Sequence, residues 1–216
     1  MKKALLIALV LILALTFFAC NKDDEFSFKD YENFKNSVKN YSITIRFDDD
    51  YLTFKKCENG FLYDNGDVVY FYNGSIQKGY ILDKSEKTGI VDTYASGDAF
   101  YDIEASGGII DYLFAFQYLK TLMQRDGSAK VAGRDCAVFK YEHNGQTAKY
   151  YLDKEYGICL KTEVSEPHGT DVMEVTGFTV GGISVDNMID LSEYTIEEGE
   201  NSGGEEPGEG KEIQSI

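Results

Sequence analysis

The chain has 216 residues, with 37 Asp and Glu against 21 Lys and Arg, and a formal charge of −16 at neutral pH. That acidity argues against a phosphate backbone as partner and against electrostatic adsorption to an anionic bilayer. Sixteen Tyr and fourteen Phe with no Trp suit strands and an aromatic core.

Lys2 and Lys3 precede an uncharged apolar run from Ala4 to Phe18. The run is short for a bilayer-spanning helix, which needs about 20 residues, and suits the core of an export signal. A globular helix would carry a polar face, and this run has none. Ala19 is the small residue before the cut, and Cys20 follows at once. The segment resembles a lipoprotein signal, with residues 1–19 removed and Cys20 carrying palmitate-type acyl chains. Losing Lys2 and Lys3 takes the charge from −16 to −18. Attachment to the lipid membrane is then expected through the acyl chains, several of which make it durable. Asn21-Lys22-Asp23-Asp24-Glu25 resembles the lysine-plus-acidic surface-export signal of Bacteroidetes lipoproteins. That resemblance implies an outer-membrane, cell-surface location. A solvated charged tether is the other reading of Lys22, Asp23, Asp24 and Glu25, and the inner leaflet of the outer membrane is the rival address.

Residues 20–30 read as a tether, 31–196 as one folded domain, and 197–216 as a disordered acidic tail with almost nothing to bury. Residues 30–40 predict a short amphipathic helix, capped by Asp30, with Tyr31, Phe34 and Val38 on one side. Strands follow at 42–47, 51–57, 61–64, 67–72, 76–82 and 89–95. Ile43, Ile45 and Phe47 alternate with Thr44 and Arg46, the period of a sheet with one wet face. Asn65-Gly66, Asn73-Gly74 and Asn144-Gly145 each predict a type I′ hairpin turn, where both residues need positive φ. A second helix is expected over Ile109–Arg125, with Ile109, Tyr112, Ala115, Phe116, Leu119, Leu122 and Met123 at helical spacing. Further strands run from Cys136 to His143, Thr147 to Leu152, Ile158 to Val164, and over 171–180. The sum is a mainly β (α+β) domain. About ten strands form a curved antiparallel sheet or incomplete β-barrel, with a short N-terminal helix and one central helix covering the open side.

Three passages carry a family likeness: Asp64 to Asn73, an aromatic hairpin ending in Tyr72-Asn73; Val131 to Phe139 with Tyr151 to Lys161; and Val185 to Tyr194. Together with the element order, they resemble the LolA and LolB lipoprotein-localisation factors over roughly residues 30–196. The resemblance implies a LolA-like open barrel.

No catalytic residue is assigned, and the chain is read as not an enzyme and as needing no cofactor. His143 and His168 sit beside turns, outside any metal-ligand or nucleophile spacing. Asp48-Asp49-Asp50 lacks the alternating ligand loop of a calcium site and reads as a solvated turn. The register from Asn144-Gly145 puts Cys136 near Asp153 and Cys159 opposite Tyr151, a full strand apart and beyond disulfide reach. With Cys57, they read as buried free thiols.

Two functional readings stay open. In one, the anchored domain binds a lipid or other apolar ligand under helix 109–125, with Tyr112, Phe116, Leu119, Met123, Tyr70 and Tyr72 lining the space. In the other, it is a surface interaction or structural lipoprotein with a filled core, no small-molecule ligand, and an unknown protein partner.

Overall fold

The computed structural model describes residues 26–29, 31–92 and 113–198. The leader, Cys20, the Lys22–Glu25 run, Asp30, Tyr112 and the tail beyond 198 lie outside the described residues. A helix α1 (Tyr31–Ser37) leads into six consecutive strands: β1 (Tyr41–Phe47), β2 (Asp50–Cys57), β3 (Gly60–Asp64), β4 (Val68–Asn73), β5 (Lys78–Asp83) and β6 (Thr88–Asp92). After a 3-10 helix at Ala115–Leu119 come β7 (Gln124–Val131), β8 (Arg134–His143), β9 (Gln146–Asp153), β10 (Cys159–Glu166) and β11 (Gly169–Val180). A short helix α2 (Val185–Met188) and the strand β12 (Thr195–Glu198) complete the described chain.

These strands form one sheet in the order β12-β6-β5-β4-β3-β2-β1-β11-β10-β9-β8-β7. Two antiparallel meanders, β1–β6 and β7–β11, join side by side through the β1–β11 pair. Short connections between neighbours favour this, because antiparallel strands need only a hairpin between them. The sheet curves but does not close, so the fold is mainly β and an incomplete barrel, with β12 and β7 as its edges.

Among the described residues twelve strands are present where about ten were expected, and β7 and β12 are the additions. The expected second helix does not persist to Arg125. Ala115–Leu119 is wound as a 3-10 helix, and Gln124 already opens β7, where Arg125 pairs with Phe139. Gln117 N–H donates to the Phe114 carbonyl at 3.0 Å, and Leu122 N–H to the Leu119 carbonyl at 2.8 Å. The tighter winding breaks the expected apolar face: Phe116 turns inward while Leu122 is left 60% exposed. β12 pairs parallel with β6 and runs to Glu198, into the stretch expected as tail.

Of the three Asn-Gly pairs, Asn144-Gly145 alone has positive φ at both residues, 49° and 80°. At Asn65 the side-chain oxygen instead accepts from the amides of Asp67 and Val68, at 3.2 and 2.9 Å, so a longer loop forms. After Asn73 the positive φ falls on Gln77, 54°, in a four-residue connection to Lys78.

The sheet is apolar on both faces, and each face has its own cover. The inner face carries Tyr41, Ile43, Ile45, Phe54, Phe61 and Met173, packed under Phe34 of α1, Val38 just after it, and Leu113, Phe114 and Phe116. The outer face of β3–β6 carries Leu62, Val69, Phe71, Tyr80 and Leu82, covered by Met188 and by half-buried residues from Ile183 to Ile196. Strict alternation delivers this division: Tyr41, Ile43 and Ile45 of β1 are buried and Ser42 and Thr44 are half-buried. Gly60 lets the outer cover approach, since a Cβ there would sit 2.4 Å from the Tyr72 carbonyl and 2.7 Å from Val185.

The described N-terminal stretch also belongs to the inner core. The Phe28 ring lies 4.9 Å from that of Phe139 and 6.4 Å from that of Phe116. The Lys29 carbonyl accepts from Gln117 Nε2 at 3.2 Å. Among the described residues, no helix is long and apolar enough to cross a membrane.

Candidate ligand cleft

α1 is short, yet its ends are stabilised. Glu32 lies in the first turn and Lys35 in the last, each matched to the helix dipole. At the C-terminal end, Ser37 Oγ donates to the Asn33 carbonyl at 2.7 Å, and Lys39 Nζ to the Lys35 carbonyl at 2.8 Å. These bonds satisfy carbonyls that the last turn leaves open. Phe34 pins the helix to the sheet, with ring centroids 5.4 Å from Tyr41, 5.8 Å from Phe114 and 6.2 Å from Tyr156.

Beside that anchor a cleft of about 460 Å³ opens between α1 and the sheet. Tyr31, Phe34 and Lys35 line it from the helix, and Val38 and Lys39 from the two residues after it; Tyr41, Phe54, Lys56, Cys57 and Glu58 line it from β1, β2 and the turn that follows. The volume falls within the range of about 300–1,000 Å³ common to small-molecule sites. Its deep wall is apolar, because Phe34, Val38, Tyr41 and Phe54 are all buried, while Cys57 at its edge packs with the outer-face cluster. Its lip is charged, with Lys35, Lys39 and Glu58 exposed. Lys56 is half-buried and stands opposite Tyr41 in the β1–β2 register, so it projects from the inner face with Phe54.

The sequence-named ligand residues fall nearby but on other parts of the inner face. Tyr70 and Tyr72 are half-buried on β4, with ring centroids 6.2 Å from Tyr63 and 5.8 Å from Phe61. Phe116 is 3% exposed and packs 6.2 Å from Phe114. Leu119 and Met123 are half-buried, Met123 against the same core. Phe114 connects the two regions, since its ring also lies 5.9 Å from that of Tyr31 at the cleft. Leu113, Phe114 and Phe116 are buried in the inner core, and the cleft lies next to them, under α1.

Lys35, Lys39, Lys56 and Glu58 went unnoticed in the sequence, and Cys57 was read only as a buried thiol, although a signal was present. Tyr31, Lys35, Val38 and Lys39 recur at helical spacing, so lysines flank the apolar stripe. Lys56 occupies the inward phase of an alternating strand after Leu52 and Phe54.

Other clusters of chemistry-bearing groups are accounted for by structure. Arg134 Nε donates to Asp153 Oδ2 at 2.7 Å, and its Nη2 to Glu155 Oε2 at 2.7 Å. Its guanidinium also lies 4.9 Å from the Tyr156 ring and 5.3 Å from that of Phe178. Cys136 faces Asp153 in the β8–β9 register, and β9 separates it from Cys159. Cys159 pairs with Leu152, with a bulge before Lys161 reaches Tyr151, which shifts the expected register by one residue. Cys57, Cys136 and Cys159 are free and buried. Burial and the Asp153 carboxylate push the Cys136 thiol up to about 12, and burial raises Cys159 to about 11. His143 is exposed and stacks on Tyr141, centroids 6.1 Å apart; His168 is exposed in the β10–β11 turn. Among the described residues no group of three His, Cys, Asp or Glu side chains is arranged to hold a metal ion.

No family model matches the chain. No curated protein matches it either. Solved structures similar to it include PNGF-II, at 12% identity and a TM-score of 0.32 over 75% of this chain. This chain spans 32% of that protein's length. The MucA/MucB complex of Pseudomonas aeruginosa matches at 12% identity and TM-score 0.36, over 74% of this chain and 61% of the other. A LolA superfamily protein from Nitrosomonas europaea matches at 8% identity and TM-score 0.23, over 70% and 88%.

Proposed function

We propose that this chain is an envelope lipoprotein, held at the outer membrane by acyl chains on Cys20, whose domain binds an apolar ligand in the cleft beneath α1. The observation that carries the reading is a 460 Å³ opening whose deep wall is formed by the buried Phe34, Val38, Tyr41 and Phe54. Each methylene buried there contributes about 0.8 kcal/mol, so an alkyl chain gains affinity in proportion to its length. The leader pattern, Lys2-Lys3, the apolar run and Ala19-Cys20, supports the anchored address. The domain's role is binding, without a reaction of its own.

Two measurements test this reading. Purified protein is extracted with organic solvent and the extract analysed by mass spectrometry; the stripped protein is then titrated with hexadecanol. Co-purifying lipid, or saturable one-to-one hexadecanol binding, is the expected result, and neither appearing removes the ligand. For the anchor, the wild-type chain is expected in the detergent phase and the Cys20→Ala chain in the aqueous phase. Equal partitioning removes the lipidation.

A further inference from the structure

We infer that the cleft selects a single-chain amphiphile with an anionic head, a carboxylate or a phosphate monoester, and that Lys35, Lys39 and Lys56 form the head-group subsite. This inference rests on the cleft being a ligand site and specifies what enters it.

The first ground is charge placement. Acidic residues outnumber basic ones by 37 to 21 over the whole chain. At the cleft the balance inverts, with three lysines against Glu58 alone. A cationic spot on a strongly acidic surface is a local attraction for an anion that the rest of the molecule repels.

The second ground is geometry. Lys56 projects from the inner face beside Phe54 and Tyr41 and so brings a cationic side chain to the apolar wall of the cleft. On the opposite wall, Lys35 lies in the last turn of α1 and Lys39 just past its C-terminal end. Lys35 Nζ sits 5.7 Å from the Tyr31 ring centroid, and Lys39 Nζ is tied to the Lys35 carbonyl at 2.8 Å. These contacts hold both ammonium groups at the lip. An ammonium has three donors, so Lys39 keeps further N–H groups to offer an oxyanion after bonding the carbonyl.

The third ground is size. At about 460 Å³ the cleft lies in the lower half of the range for small-molecule sites and suits one alkyl chain better than two. Apolar wall, cationic lip and single-chain volume together describe a fatty-acid-like ligand.

The test uses residues 20–216 carrying Cys20→Ala, stripped of lipid, and follows binding by calorimetry. Four probes share one chain length: hexadecanoate, hexadecyl phosphate, hexadecanol and hexadecyltrimethylammonium, each kept below its micelle concentration. At least one anionic probe is expected to bind about tenfold or more tighter than hexadecanol, with the cationic probe weakest. Whether the carboxylate or the phosphate ranks first identifies the head. In the Lys35→Gln/Lys39→Gln/Lys56→Gln chain, checked for native circular dichroism, the anionic advantage over hexadecanol should fall to within about twofold. Equal binding of all four probes to the unsubstituted chain overturns the head-group subsite but leaves an apolar cleft standing. An anionic preference that survives the triple substitution overturns the assignment to these lysines. Binding of none of the probes removes the cleft itself as a ligand site.

Discussion

Arg134 donates from Nε to Asp153 Oδ2 at 2.7 Å, joining the start of β8 to the end of β9 with a carboxylate that is only 1% exposed. Asp153 Oδ1 also accepts from the amides of Glu155 and Tyr156, at 3.0 and 2.6 Å, which folds the β9–β10 turn around it. The guanidinium lies over Tyr156, whose ring in turn meets Phe34 of α1. One ion pair therefore links the second meander to the helix that roofs the cleft.

Replacing Arg134 by Met should destabilise the protein by about 3 kcal/mol, near the low end for stranding a buried charge, because the arginine side chain is 23% exposed. Lys in its place should recover only part of the loss, since a point charge cannot reproduce the fork or the ring stacking. Urea denaturation measures both. A loss below about 0.5 kcal/mol, as at an ordinary surface site, would contradict the role given to the pair.

Phe116 and Tyr118 lie two residues apart with opposite surroundings, at 3% and 91% exposure. Phe116→Ala should cost about 3–5 kcal/mol, the range for emptying a buried aromatic site. Tyr118→Ala should stay within about 0.5 kcal/mol of wild type. Similar midpoints for the two variants would mean that Phe116 does not fill the inner face.

Stability should fall at both ends of the pH scale, with assignable causes. Glu163 is held below its ordinary value by the Lys161 and Tyr151 hydrogen bonds, and Glu155 by the Arg134 hydrogen bond. A depressed carboxylate contributes stability above its unfolded value, near 4.5, and loses it as pH falls through the folded value. Tyr151 is pushed up to about 12 by burial and by its hydrogen bond to Glu163, 2.8 Å long. A raised group contributes fully below its unfolded value, near 10, and loses that contribution as pH rises toward 12. The urea midpoint should be level through neutrality and decline on both sides. Glu163→Gln should bring Tyr151 partway back toward 10, because its burial remains, as read from tyrosinate absorbance.

Cys136 and Cys159, raised to about 12 and about 11, should resist iodoacetamide in the native state. At about pH 8 the thiolate fraction of Cys136 is roughly 10⁻⁴, and the thiolate is the reactive form. Peptide mapping after alkylation should find both unmodified until denaturant is added. Rapid native modification of either one would contradict its burial.

Strands with one apolar phase were readable from sequence, as the alternation of Ile43 and Ile45 with Thr44 illustrates. The edges were not. Seven of the eight residues of β7 lie outside the core, so no hydrophobic period marks the strand. β12 contributes Ile196 to the outer cover between Thr195 and two glutamates, a composition shared with the acidic tail. Helical spacing across Phe116, Leu119 and Met123 was real, but local 3-10 winding and pairing of Gln124 with Lys140 overrode it. The cleft depends on α1 meeting β2 in space, and sequence spacing within either element does not reveal that contact.

The chain has no tryptophan, so Tyr31→Trp places a single fluorophore at the lip of the cleft. Lipid-free protein carrying this substitution is titrated with hexadecanoate and its emission recorded. A saturable blue shift, reversed by extracting the ligand and absent from a Trp placed at the exposed Tyr118, is the expected result. A folded Tyr31→Trp protein whose emission stays constant throughout the titration would contradict ligand binding beneath α1.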